Sequence, residues 1–165
     1  MAGIPIRLHI SWLLLLFFGV SSLQPLFAAQ DGGAGLPMAI ITTLLLLLAI
    51  LLHEVGHAVV AQRLGLKVRS ITLFLTGGIT ELDGDVSRPS HELKIALAGP
   101  LVSLLLTGLT AALAWWTLGE YRLLWTVLAA CNGLLTVFNM LPCYPLDGGR
   151  ALRAIFWFLH DDLLQ

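Results

Sequence analysis

The sequence predicts an all-α polytopic membrane protein, with about four transmembrane helices and a membrane-associated β-hairpin between helices two and three. Three observations predict it. Of 165 residues, 58% are hydrophobic and 12% are charged, with a mean hydropathy of +0.89; a soluble domain is typically about a quarter charged. The nineteen charged residues, nine basic and ten acidic, are clustered and leave four long stretches without Asp, Glu, Lys or Arg. The one sizeable polar segment, between the second and third stretches, is rich in β-forming residues. This composition leaves too little polar surface for a water-facing exterior, and it is the opposite of what disorder requires. A net charge of −1 gives no sign of a nucleic-acid partner, and two cysteines, Cys131 and Cys143, cannot build a disulfide framework.

The first charge-free stretch, Leu8 to Gln30, predicts a span near residues 10–28. Arg7, the apolar run and Ala28-Ala29 also resemble a cleaved signal peptide, but the run is long for one and three more spans follow. The second stretch, Gly32 to Leu52, predicts a span near 37–61. Val68 to Leu75 then reads as a strand, Thr76-Gly77-Gly78 as a turn and Ile79 to Leu82 as a return strand, giving the hairpin. Asp83-Gly84-Asp85 and Ser87 to Ser90 form a loop, and Pro89 or Ser90 starts the third helix with Glu92 in its first turn. Ile95 to Gly119 and Leu123 to Leu146 predict spans near 92–116 and 122–141. Each run matches the roughly 20 apolar residues that cross a bilayer. Ala151 to Leu159 continues as a helix or as the start of a fifth span.

Orientation follows from the basic residues. Arg7, the group Arg63, Lys67, Arg69, Arg88 and Lys94, and then Arg150 and Arg153 all fall on one side of four spans. The other side carries only Arg122, with Asp31 and Glu120. The positive-inside rule therefore puts both termini and segment 62–91 in the cytoplasm.

Span two contains His53-Glu54-Val55-Gly56-His57. Ionisable groups inside a membrane helix are expensive and mark function by default. His53 and His57 are four residues apart, so they stack on one helix face and can grip one metal ion. Glu54 lies at the edge of that face, too far round for a third ligand but suited to act as general base toward a water on the metal. A chain of this composition carries two histidines at this spacing with an acidic residue, Asp or Glu, after the first by chance roughly once in a hundred.

Catalytic zinc commonly takes three protein ligands and keeps one position open. The end of span four, Asn139 to Arg150, is broken by Pro142 and Pro145 and carries Asp147-Gly148-Gly149. Spans two and four both run inward, which brings Asp147 and the histidine pair to the same cytoplasmic end. Asp147 is thus the expected third ligand, against the plainer reading of an Asp-Gly turn, with Cys143 as a rival ligand. His9, His91 and His160 sit at predicted helix ends and read as interfacial.

These residues resemble the site-2 protease family of intramembrane zinc metalloproteases (peptidase M50), over nearly the whole chain from Ile4 onward. His53, Glu54, Gly56 and His57 match the family's H-E-x-G-H motif. Asn139, Pro142, Leu146, Asp147 and Gly148 match its N-x-x-P…L-D-G motif. Gly77-Gly78 and Ala98-Gly99-Pro100 are similar to further family signatures. The resemblance implies one zinc ion on His53, His57 and Asp147, with Glu54 as catalytic base. It gives Asn139 either a role in orienting substrate or oxyanion or a helix–helix hydrogen bond.

The resemblance further implies regulated intramembrane proteolysis. The expected partner is a single-span membrane protein, such as an anti-sigma factor or a membrane-tethered regulator, in a bacterial or archaeal cell membrane. The chain reads as a single core domain over 1–165. The loop between spans two and three is too short for a PDZ domain. The N-terminal pattern resembles members carrying CBS domains, which also have further helices after the Asp-Gly motif, so the chain reads as a truncated or minimal core. Different functions with the same ligands would be zinc transport or non-catalytic metal binding in the membrane; the first lacks intramembrane carboxylates in spans one, three and four, and the second leaves Glu54 unexplained.

Overall fold

In the computed structural model, residues 4–30, 35–74 and 77–163 are described. The elements run β1 (Ile6–Leu8), α1 (Trp12–Ala28), α2 (Gly35–Arg63), β2 (Lys67–Phe74), β3 (Gly77–Asp83), α3 (Pro89–Trp116), α4 (Gly119–Asn139) and α5 (Asp147–Leu163). Each predicted span emerges as a helix within three residues of its expected ends. By length and composition α2, α3 and α4 are each able to cross a membrane, and α1 is a shorter apolar helix of 17 residues. Asp31 of the charge count, and Leu75 and Thr76 of the predicted strand end and turn, lie outside the described residues.

Two expectations are corrected. The sheet has three strands, not two: β1 pairs in parallel with β2, Ile6 opposite Ile71 and Leu8 opposite Leu73. A three-residue strand whose partner lies some 65 positions away leaves no local periodicity to read. Gly77 and Gly78 belong to the return strand, opposite Phe74 and Leu73, so β3 begins two residues before the predicted Ile79. Glycine is disfavoured in strands, so its presence there marks a close approach of backbone to something else.

Apolar packing joins the helices at two levels. Phe27 of α1, Met38 and Ala39 of α2, and Leu124 and Leu128 of α4 form one buried cluster. Ala58 of α2 packs with Ile71 and Leu73 of β2 in a second, which seats the sheet on the helix that carries the histidines. Outer faces stay apolar and uncovered, as with Leu105 at 66% exposure on α3, the pattern of helices that meet lipid. α2 ends in a Schellman motif: the Leu66 N–H donates to the Ala61 carbonyl, the Gly65 N–H donates to Gln62, and Gly65 takes a φ of +84°. This stop fixes the distance from His57 to the start of β2. At the other end of the fold, Arg153 of α5 donates to the fully buried Glu92 in the first turn of α3, which ties α5 to the bundle.

Candidate metal centre

His53 and His57 project from α2 toward α3, and α3 receives them at three positions on one face. Ser103 Oγ lies 2.9 Å from His53 Nδ1. The Ile95 carbonyl lies 2.6 Å from His57 Nδ1. Gly99, four residues from each, leaves the space between them empty: a Cβ there would fall 2.6 Å from His53 Nε2 and nearer still to His57 Nε2. Residues 95, 99 and 103 repeat every four positions and so share one stripe of the helix. α3 approaches closely enough because Gly56 faces it; a Cβ on Gly56 would lie 3.0 Å from the Ala98 carbonyl oxygen.

Asp147 arrives from the opposite side as the first residue of α5, rather than from within a turn. Gly148 and Gly149 let this helix start press against the preceding loop, since a Cβ on either would strike the main chain of residues 140–144. The result is a near-equilateral triangle of ligand atoms. His53 Nε2 lies 3.1 Å from Asp147 Oδ2, His57 Nε2 lies 3.2 Å from it, and the two Nε2 atoms are 3.2 Å apart. All three residues are buried, at 3%, 3% and 7% exposure.

A cation is what this triangle fits. A main-chain carbonyl only accepts, so Nδ1 of His57 carries a proton, and the neutral form of the ring turns a lone pair on Nε2 toward the centre. Assigning the His53 proton to Nδ1, toward Ser103, turns a second lone pair inward. The carboxylate oxygen supplies a third. Three converging lone pairs repel one another unless a positive ion lies among them. Tetrahedral zinc, at about 2.0–2.1 Å from each ligand, sets ligand atoms about 3.3 Å apart, close to the observed edges. Among the described residues this is the one group of three His, Cys, Asp or Glu side chains that meets at a point.

The other predicted residues fall as follows. Glu54 is outside the triangle but beside it. Its Oε2 accepts a hydrogen bond of 3.0 Å from Thr80 on β3, and Gly78 of the same strand passes so close that a Cβ there would collide with the carboxylate. Of the two glycines that read as a turn, Gly78 thus makes room for Glu54, while Gly77 takes a φ of +129° that favours glycine. Asn139 lines the same cavity, but its amide donates to the Leu135 carbonyl of its own helix, not to another helix. Cys143 is exposed and stands outside the ligand group. The cavity measures about 570 Å³; Glu54, both histidines, Asp147, Thr80 and Asn139 are in its wall.

Thr80, Ser103 and the spacing role of Gly99 were not anticipated. A hydroxyl four residues beyond a small residue in a membrane helix was the available signal for Ser103. It orients a ligand through the ring's far nitrogen, a contact whose loss typically weakens metal binding 10- to 100-fold. Ser103→Ala is therefore expected to lower affinity for a divalent ion by roughly that factor, read by competition with a chelator. Unchanged affinity would show that His53 is oriented by packing alone.

Comparison with known proteins agrees with this geometry. The profile of peptidase family M50 matches residues 41–120 and 115–165. Rip3 of Mycobacterium tuberculosis is 40% identical, the match covering 99% of this chain and 44% of the relative. A zinc metalloprotease of Methanocaldococcus jannaschii is 36% identical over 93% of this chain and 43% of its own length. The solved structure of the site-2 protease from the same archaeon superposes with a TM-score of 0.67 at 30% identity, covering 94% of this chain and 68% of that one. The chain thus spans less than half the length of these curated relatives. With the H-E-x-G-H histidines of α2 and the Asp-Gly aspartate of α5 meeting at one point, and with profile, relatives and fold in agreement, the chain belongs to peptidase family M50, the family of the site-2 proteases.

Proposed function

We propose that this chain is the core of a zinc-dependent endopeptidase that cuts a membrane-embedded segment of another membrane protein. The observation that carries the reading is the meeting of three inward lone pairs with a separately held carboxylate, Glu54, in one cavity among apolar helices. His53, His57 and Asp147 would hold zinc, which when bound supplies a Lewis acid for water and for the scissile carbonyl. Glu54 takes the proton of the attacking water and returns it to the leaving amine. The hydrogen bond from Thr80 holds the Glu54 carboxylate in position beside the ligands. Asn139, at the cavity wall, is placed to donate to substrate backbone or to developing oxyanion charge.

The topology belongs to the same proposal. Four spans, α1 to α4, with both termini and the site toward the cytoplasm, follow from the Lys and Arg distribution. They make residues 1–165 one core domain of a multi-pass protein in a bacterial or archaeal cell membrane. The partner class is a single-span protein, such as an anti-sigma factor or a membrane-tethered regulator. A substrate helix must unwind before its carbonyls can be attacked. The β3 edge, with Gly78, Ile79 and Thr80 in the cavity wall, suits it for holding the opened segment as an added strand.

Metal removal tests the reading. The purified chain in detergent is expected to carry one zinc and to cleave a single-span reporter. A chelator should abolish cleavage, and added zinc should restore it. Cleavage indifferent to the chelator, or protein that takes up no zinc, would overturn the assignment.

A further inference from the structure

A second cavity, of about 320 Å³, lies between α1, α2 and α4. Its wall is made by residues such as Phe18, Leu46, Leu47 and Cys131, and Ile50 and Leu135 belong also to the wall of the metal-site cavity. The two spaces are therefore neighbours across one pair of side chains. From Ile50 the second cavity follows α2 back to Thr43, seven residues or about 10 Å of helix.

Inside this apolar space stands one buried polar group without a partner; the Ser22 hydroxyl in the same wall belongs to an exposed residue. Asn132 of α4 is 2% exposed. Its amide nitrogen donates to the Leu128 carbonyl, while its Oδ1 has no hydrogen-bond partner among the described residues. The Thr43 hydroxyl in the same wall is already spent on the Ala39 carbonyl. An Asn that served to join helices would have its acceptor filled by a neighbouring helix. A buried acceptor left open in apolar surroundings is unfavourable until a donor arrives.

We propose that this cavity is a substrate subsite. In it, the apolar flank of the substrate that stays in the bilayer lies beside α2, and Asn132 Oδ1 accepts a hydrogen bond from a hydroxyl or amide side chain on that flank. The inference rests on the peptidase reading and adds a specificity determinant to it. Leu135, at the shared wall, is one helical turn from Asn132, so the donor is read at a single register close to the scissile bond. Substrates with a Ser, Thr or Asn at that register are preferred over uniformly apolar ones.

The test has two arms. The first uses Glu54→Gln, Cys143→Ser protein, in which Cys131 in the cavity wall is the remaining cysteine. A single cysteine is walked along the membrane flank of a single-span reporter, and diamide is the oxidant. A disulfide to Cys131 is expected at one or two adjacent positions. A reporter that cross-links nowhere overturns the subsite, and because no cleavage is needed, this result is independent of the peptidase reading. The second arm compares an all-leucine flank with one carrying a single Ser at the mapped register. Wild-type protein should favour the Ser reporter roughly three- to tenfold in kcat/KM, the ratio that one net hydrogen bond supports. Asn132→Leu should erase that preference while still cleaving the all-leucine reporter. An equal loss on both reporters, or a preference that survives the substitution, overturns the role of Asn132. Wild-type protein that cuts neither reporter counts against the peptidase reading instead, with the cross-link still reporting on the cavity.

Discussion

Glu54→Gln is expected to leave zinc in place and to lower the cleavage rate by roughly 10²- to 10⁴-fold, the usual contribution of a positioned general acid–base. The separation of the two effects follows from the geometry. Glu54 contributes no atom to the triangle of His53, His57 and Asp147, so metal binding does not need it as a ligand. The amide oxygen of glutamine can still accept from Thr80 Oγ1, so the side chain stays where the carboxylate was. What is lost is the ability to take a proton from water and return it to the leaving amine. A residue this buried, at 8% exposure, also sheds a desolvation cost when neutralised, so the variant should fold at least as well as the parent. Zinc content and kcat on the same preparation separate the outcomes: full zinc with residual kcat is expected. Near-normal kcat would remove Glu54 from the reaction, and lost zinc would mean that the carboxylate supports the ligands instead.

Most of the helical architecture was legible because charge is the scarce resource in this sequence. The spans read from the charge-free runs mark α1 to α4 to within three residues, since a charged residue in the hydrocarbon region is what evolution avoids. The metal ligands were legible for a related reason. His53 and His57 stand out against an apolar helix, and their spacing of four is a property of helical geometry alone. Asp147 needed more, because an Asp-Gly pair is ordinary in a turn; only the argument that spans two and four end on the same side brought it to the histidines. β1 was not legible: Ile6 to Leu8 are exposed on the sheet edge and owe their strand geometry to β2, far along the chain. Gly77 and Gly78 misled for the opposite reason. Their local preference is for a turn, but both pair with β2, and at Gly78 the strand must clear the Glu54 side chain. Thr80 and Ser103 are common residues that acquire a role only from what the fold sets opposite them.

Gly99→Ala is expected to abolish zinc binding, with a loss of affinity well beyond the roughly 10- to 100-fold typical of a lost ligand-orienting contact. The added methyl would sit where the two Nε2 atoms converge, 2.6 Å from that of His53 and nearer to that of His57. Neither ring can yield cheaply. His57 is held at Nδ1 by the Ile95 carbonyl and His53 by Ser103, both on the helix that carries the new methyl, so withdrawing α3 would break the contacts that aim the rings. Withdrawal is opposed as well by the close seat of Gly56 against Ala98 and Val102. The rings must rotate off the centre, and the triangle with Asp147 opens. Gly108→Ala, on the same helix, is the control. Nothing lies within 4 Å of a Cβ there, and replacing glycine by alanine inside an open helix position adds about 0.5–1 kcal/mol of stability. The same chemical change should therefore be harmless or stabilising nine residues away and ruinous to the site at Gly99. Zinc titration and thermal unfolding of both variants decide it: an unaltered zinc affinity in Gly99→Ala would mean that the histidines do not meet across α3 as described.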